Sequence, residues 1–150
     1  LDGKSLIPLL KENGLVDRKA MFWHAPHYLA QPGNHFRITP HSAVRKGDFK
    51  LIEFFHDHFE YDEPARTAIR KAADDYAPYP LDGARYVPKA KIELFNIKKD
   101  IGEQNDLSSE MPKKVAELKA LLAHWRKSVG AQMPVKNPRF NPEFKKPREK

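Results

Sequence analysis

Apolar residues are most densely arranged between residues 41 and 55, where two short runs flank a turn signal. The runs are Ser42–Lys46 and Phe49–Phe55, and Gly47-Asp48 stands between them. Glycine tolerates the positive φ angle that a two-residue β-turn requires. The pattern therefore predicts an antiparallel hairpin.

The predicted hairpin has a defined register, and its second strand is apolar on both sides. The two-residue turn places Val44 opposite Leu51, and Arg45 opposite Lys50. Successive side chains of a strand point to opposite faces, so the large apolar residues divide between the two: Phe49, Leu51 and Phe55 on one, Ile52 and Phe54 on the other. Such a strand lies between two layers, and we expect cover on both faces.

A long amphipathic helix is predicted from about Pro112 to Val129. Its apolar residues recur every three or four positions, as on one helix face: Val115, Leu118, Leu121, Leu122, Trp125 and Val129. Gly130 is well placed to end the helix. Because this face is wide enough to pack across a sheet, we expect an α+β fold in which the long C-terminal helix covers one face of a small antiparallel sheet.

Further segments complete a sheet of about four strands. Ala20–Trp23 reads as a strand, and Ile92–Ile97 alternates as another. Residues 29–40, which contain Pro and Gly, are expected to form a long connection. Residues 57–90 read as an insertion, within which Ala65–Ala77 is predicted to be helical.

Composition sets broad limits on the class of protein. The 150 residues allow one domain with a core, and the absence of cysteine excludes disulfides and thiolate metal sites. No apolar run approaches the ~20 residues of a membrane span. The chain opens without an initiator Met or a signal peptide, so we expect it to be part of a longer protein.

The charge is basic and is concentrated at the C-terminal end. Lys136–Lys150 carries six Lys/Arg and two Glu, a net of +4 within the formal +7, together with three prolines. Residues 135–150 are therefore expected to form a basic, Pro-containing tail, either solvated or bound to a polyanion. The chain contains no nucleic-acid recognition motif, which argues against a nucleic-acid partner.

Histidines stand near the predicted strand ends. The segment Phe22–Tyr28, FWHAPHY, contains His24 and His27 beside a proline that prevents a continuing central strand. Loops at strand ends often present binding groups. The alternatives are a structural loop whose histidines hydrogen-bond to the backbone, and a metal site for which His35 or His41 would have to supply a third ligand.

Five segments of the chain, taken in order, resemble one protein family. They are DGKSLIPLL, FWHAPHY, SAVRKGDFKLIEFF, IELFNIKKDIGEQNDLS and a helix ending in LLAHW. Together they resemble the C-terminal subdomain of type I sulfatases, of the formylglycine-dependent, alkaline-phosphatase-like superfamily; heparan N-sulfatase-like members are among the relatives. The resemblance covers residues 1–134, with residues 57–90 as a variable insertion. It implies a four-stranded antiparallel sheet docked on a large α/β catalytic domain.

The chain departs from the family in its catalytic residues. The family signature, C-x-P-S-R or S-x-P-S-R, is absent, and so are the Asp/Asn ligands of the family's calcium ion. By resemblance, the parent enzyme hydrolyses sulfate esters with formylglycine and calcium, and this chain binds its N-terminal catalytic domain. The fragment alone is expected to be inactive. The family also suggests a periplasmic or secreted location.

The resemblance implies candidate substrate-binding residues. In the family the loop corresponding to FWHAPHY faces the active-site cleft, which makes His24 and His27 candidate contacts of a sulfated substrate; an imidazolium binds an anion strongly. Arg45 is a further candidate, because its pairing with Lys50 sets two like charges across the hairpin and calls for a carboxylate or a bound anion nearby. His41 is a fourth candidate.

A second hypothesis comes from a different functional class. The chain would be a stand-alone module that binds sulfated glycans or other polyanions, without catalysis. It would use the basic tail together with His24 and His27. Retention on a heparin column, with and without residues 136–150, separates the contributions of the tail and the histidines.

Overall fold

In the computed structural model, a four-stranded antiparallel sheet carries one long helix on one face. The structure describes residues 4–12, 14, 18–31, 35–61, 64, 67, 84–135 and 138–139. Its elements, in chain order, are α1 (Ile7–Glu12), β1 (Met21–Ala25), β2 (Leu29–Gln31), β3 (His35–Ile38), β4 (His41–Lys46), β5 (Phe49–Phe54), β6 (His58–Tyr61), β7 (Ala84–Val87), β8 (Lys91–Asn96) and α2 (Pro112–Ser128). The predicted α+β fold is confirmed.

The central hairpin forms as the sequence predicts. Gly47 has a φ angle of +59°, in the left-handed region that glycine tolerates. Val44 pairs with Leu51 and Arg45 with Lys50. β1 then pairs with β4, and β8 with β5, so that the strand order is β1-β4-β5-β8 and β1 lies at an edge.

The face of the sheet under α2, which we call the covered face, holds the core. One row across the sheet joins Phe22, Val44, Leu51 and Leu94, and α2 packs on it. The core side chains with no exposed surface are Val44, Leu51, Leu94, Leu118 and Leu122. Since burial of each such side chain contributes roughly 1.5–3 kcal/mol, the helix and the sheet depend on each other.

Both ends of α2 follow from local sequence. Pro112 opens the helix, where a missing backbone N–H costs nothing. Gly130 adopts a φ angle of +62° just after the helix, and the N–H of Ala131 donates to the carbonyl of Arg126 at 2.9 Å. These features end the helix and turn the chain back toward the sheet.

The opposite face of the sheet, which we call the open face, is apolar but far less sealed. Its central row is Trp23, Ala43, Ile52 and Glu93. Trp23 is 46% exposed, whereas Ala43, between two large neighbours, is only 4% exposed. The segment after β8 folds back toward one end of this face.

The connecting segments contain short strands that the sequence did not predict. Within the long connection of residues 29–40, β2 and β3 pair with each other. The insertion likewise contains the paired strands β6 and β7. Runs of three or four residues are too short to display a period of two, so the pattern did not reveal them. The predicted helix Ala65–Ala77 lies outside the described residues except for Thr67, which is helical.

The described residues include no helix that is both long and apolar enough to cross a membrane.

Candidate substrate-binding site

Three of the four predicted site residues lie at one end of the main sheet. The row Ala25, His41, Phe54 and Lys91 closes this end, which we call the histidine end. His24 immediately precedes Ala25 in β1, and His27 follows two residues after it. The antiparallel pairing of β1 with β4 brings the last residues of one strand beside the first of the other, and so gathers the histidines.

Both ring nitrogens of His24 have partners on the covered face. Nε2 lies 2.8 Å from the carbonyl oxygen of Gln132, and Nδ1 lies 2.7 Å from the hydroxyl of Ser42, a fully buried residue. A carbonyl only accepts, so Nε2–H donates, and Nδ1 of the neutral ring accepts the Ser42 hydroxyl hydrogen. His24 therefore ties β1 to the segment that follows α2.

His27 is exposed, and in the part of the chain that the structure describes nothing holds its ring. The next residue is anchored: the hydroxyl of Tyr28 donates to a carboxylate oxygen of Asp57 at 2.5 Å. Asp57 is 2% exposed. The loop is thus fixed one residue away while the imidazole of His27 is presented to solvent.

His41 is half-buried and lies on the open face. Its Nδ1 donates to the backbone carbonyl of Thr39 at 2.8 Å, and its ring packs against Phe54 with 5.6 Å between the centroids. The first bond fixes the orientation of the ring. Nε2 has no hydrogen-bond partner among the described residues and is available to a ligand.

Arg45 lies at the hairpin end of the sheet, away from the histidines. It is four residues along β4 from His41, and a strand advances about 3.3 Å per residue, so roughly 13 Å separates their Cα atoms. Its Nε donates to the carbonyl of Gly47 at 3.4 Å. The structure therefore groups His24, His27 and His41 and leaves Arg45 apart.

The like charges of Arg45 and Lys50 are relieved by a carboxylate. Lys50 Nζ donates to both carboxylate oxygens of Glu103, at 2.7 and 2.9 Å. Glu103 has a φ angle of +53°, and its turn is held by Asp100, whose carboxylate accepts two backbone N–H bonds at 2.8 Å. The Arg45–Lys50 pairing predicted either a carboxylate or a bound anion nearby. The structure has the carboxylate, Glu103, in the polar turn after β8.

Sequence reasoning missed a nearly buried ion pair under the helix. Arg126 Nη1 lies 2.8 Å from Glu53 Oε2, and the two side chains are 14% and 15% exposed. Lys119 reaches the other oxygen of Glu53 at 3.4 Å, and the Arg126 guanidinium lies over the ring of Phe55. The sequence signal was Glu53, which lies on the same face of its strand as Phe49 and Leu51. A carboxylate on a buried face needs a cation nearby.

In the described part of the chain, no group of three or more His, Cys, Asp or Glu side chains is arranged to hold a metal ion. His58, 3% exposed, donates from Nδ1 to the carbonyl of Lys89, and its Nε2 lies 3.2 Å from Glu60. Hydrogen bonds from Arg85, and then from His58, hold the pKa of Glu60 below its ordinary value. These residues tie β6 to β7 and the segment after it.

Comparisons with known proteins find similarity among solved structures. No family model and no curated protein matches the chain. Among solved structures, the chain is similar to BT4656, described in complex with its substrate D-glucosamine-2-N,6-O-disulfate, with 27% identity and a TM-score of 0.50. The match covers 87% of this chain, which spans only 20% of the neighbour's length. The similarity to a protein with a sulfated sugar substrate supports the relationship to sulfatases.

Proposed function

We propose that this chain is the C-terminal part of a sulfatase that hydrolyses sulfate esters of sulfated sugars. It contributes substrate recognition and structural support to a catalytic domain that lies outside the chain. One observation carries the proposal: 87% of the chain matches part of a protein whose substrate is a disulfated glucosamine. The five sequence segments that resemble the family point the same way.

The catalytic groups that the resemblance implies do not fit the residues of this chain. The sequence has no cysteine and no S-x-P-S-R segment from which a formylglycine could be made. The described residues offer no cluster of acidic side chains for calcium. Both groups therefore belong, in this proposal, to the catalytic domain, and the chain alone does not hydrolyse sulfate esters.

The open face is the surface proposed to contact that catalytic domain. Trp23, on the edge strand β1, is 46% exposed, and Ile52 and Phe54 on β5 are half-buried. Aromatic side chains are enriched at protein interfaces, where they bury a large area at low entropic cost. Contact with a larger domain would give this face the cover that its apolar residues call for.

Within the histidine end, the proposed roles differ from residue to residue. His27 contacts the sulfated sugar directly, because its ring is exposed and its loop is anchored at Tyr28. His41 offers Nε2, which donates a hydrogen bond when the ring is protonated, because Nδ1–H is already bonded to Thr39. His24 is a positioning residue, since both of its nitrogens bond within the chain. In their protonated forms His27 and His41 would attract the sulfate.

The test is sulfate release from D-glucosamine-2-N,6-O-disulfate by the full-length protein that carries this chain. We expect release by the full-length protein and none by the 150-residue chain. His27→Ala should lower kcat/KM by about 10-fold or more, as for loss of a hydrogen bond to a charged group. His124→Ala, on the exposed side of α2, is the matched control and should leave the kinetics unchanged.

Three results would count against all or part of the proposal. A full-length protein that releases no sulfate from sulfated sugars would reject the sulfatase function. Unchanged kinetics in both His24→Ala and His27→Ala would remove these residues from the site while the function stands. Binding without any hydrolysis would instead favour the stand-alone glycan-binding module.

A further inference from the structure

A groove of about 550 Å³ lies on the covered face, beside the start of the edge strand β1. Its apolar lining includes Phe22 from β1 and Leu121 and Trp125 from α2. The rings of Phe22 and Trp125 stack with 4.8 Å between their centroids and planes only 3° apart. This stacked pair gives the groove a rigid aromatic floor.

Among the described residues, the polar side chains that line the groove are all cationic. Lys4, Arg18, Lys19 and Lys46 line it, and no acidic residue does so in the part of the chain that the structure describes. Lys46 pairs with Glu117 at 2.8 Å. Lys4 and Lys19 form no ion pair with described residues. Several cations around one concave surface concentrate positive potential there and favour an anionic ligand.

The groove and the histidine end lie along the same strand, the groove beside the start of β1 and the histidines at its end. Phe22 and His24 lie on the same face of β1, two residues apart. Five residues of extended chain span at most about 18 Å, which bounds the distance from Phe22 to His27. A linear oligosaccharide can bridge such a distance.

We propose that this basic groove is a binding site for a sulfated oligosaccharide. The sulfate groups accept charge-assisted hydrogen bonds from Lys4 and Lys19 at the edge of the groove. The apolar face of a sugar ring packs on the aromatic floor. The choice of a sulfated sugar, rather than another polyanion, rests on the proposed function; the groove and its charge rest on the geometry.

Tryptophan fluorescence can report on the groove directly. The chain has two tryptophans, Trp23 on the open face and Trp125 in the groove. In a Trp23→Phe background, Trp125 is the sole reporter. Titration with a heparin-derived hexasaccharide should change its emission saturably, and the same hexasaccharide without its sulfates should not.

Charge reversal tests whether the rim carries the binding. In the same background, Lys4→Glu with Lys19→Glu should weaken the hexasaccharide affinity by roughly tenfold, as expected for two surface charge contacts. The matched control reverses two exposed lysines on α2 outside the groove, Lys113→Glu with Lys127→Glu. The control changes the net charge equally and should weaken binding less than about twofold.

Several outcomes would overturn the inference. They are an unchanged Trp125 emission, equal weakening by the control pair, and equally tight binding of a poly-glutamate peptide, which would indicate an acidic protein partner. A concentration-dependent dimer in sedimentation that the Lys4/Lys19 pair of substitutions abolishes would assign the groove to a second copy of the chain.

The groove and the proposed function can fail separately. In the full-length protein, the Lys4/Lys19 pair of substitutions should raise KM for a sulfated hexasaccharide and leave hydrolysis of the disulfated monosaccharide unchanged. If KM for the hexasaccharide does not change, the groove inference is wrong although the sulfatase function stands. If neither substrate is hydrolysed, the sulfatase function fails, and the fluorescence titration alone decides the groove.

Discussion

The two faces of the same sheet differ sharply in how they are sealed. On the covered face, Val44, Leu51 and Leu94 have no exposed surface, because α2 packs across them. On the open face, Trp23 in the edge strand β1 is 46% exposed. Neighbouring residues of one strand, such as Leu51 and Ile52, thus belong to two different environments.

This difference separates what an apolar pattern says about folding from what it says about binding. The residues of the covered face find their partners within the chain. On the open face, Trp23, Ile52 and Phe54 are also apolar but remain partly exposed, which is typical of a surface that a partner covers. Apolar residues on both sides of a strand therefore indicate two layers, and only one of them needs to come from the same chain.

The largest expected effect compares neighbouring residues on the two faces. Leu51→Ala should lower the free energy of unfolding by about 2–5 kcal/mol, because it leaves a cavity in a fully buried site. Ile52→Ala, on the half-buried open face, should cost less than about 2 kcal/mol in this chain. Urea unfolding monitored by circular dichroism measures both. An equal fall in the free energy of unfolding for the two variants would show that Leu51 and Ile52 are equally buried in the folded chain.

The next effect concerns the ion pair under α2. Arg126→Met leaves the 15%-exposed Glu53 with Lys119 alone, and should cost about 1–3 kcal/mol in the free energy of unfolding. The control is Lys98→Met, which removes a wide pair with Asp48 at 3.9 Å on the surface and should cost at most about 0.5 kcal/mol. An unfolding midpoint that is the same for both variants contradicts the assigned role.

On the open face, Trp23→Ser should change the stability of the isolated chain by less than about 1 kcal/mol, because the side chain is already half exposed to water. In the full-length protein the same substitution should destabilise the contact between the chain and the catalytic domain, with a larger fall in the melting temperature. Thermal unfolding of both forms measures the difference. A similar change in the two forms would argue against a partner on this face.

The smallest effect on stability concerns the edge of the covered face, where hydrogen bonds from Lys114, and then Lys46, lower the pKa of Glu117 to about 2, from an ordinary value of 4.5. Because the pKa is lowered in the folded state, the stabilisation is present above about pH 4.5 and is lost as the pH falls toward 2. NMR titration should show the pKa rising in Lys114→Met and, less, in Lys46→Met. A wild-type midpoint near 4.5 would contradict this.

Much of the fold follows from the sequence because its strongest signals are local. The glycine turn at Gly47 sets the hairpin register, and the three- and four-residue spacing of apolar residues defines α2. The strands β2, β3, β6 and β7 escaped prediction because each has only three or four residues. Their hydrogen bonds come from pairing rather than from any periodic pattern.

The candidate site was less accessible to sequence reasoning, because side-chain partners depend on tertiary contacts. The spacing identifies His24 and His27 as neighbours in sequence. It does not show that Ser42 and Gln132 hydrogen-bond to the ring of His24, nor that the ring of His27 is exposed. The separation of Arg45 from the histidines does follow from the hairpin register, since Arg45 is next to the turn.

The most direct test of the central claim is hydroxyl-radical footprinting of Trp23, in the isolated chain and in the full-length protein. Oxidation of Trp23 is compared with that of Trp125, which packs between α2 and the covered face in both forms. If a catalytic domain covers the open face, Trp23 should be oxidised readily in the chain and several-fold less in the full-length protein. Equal oxidation of Trp23 in both forms would contradict the account.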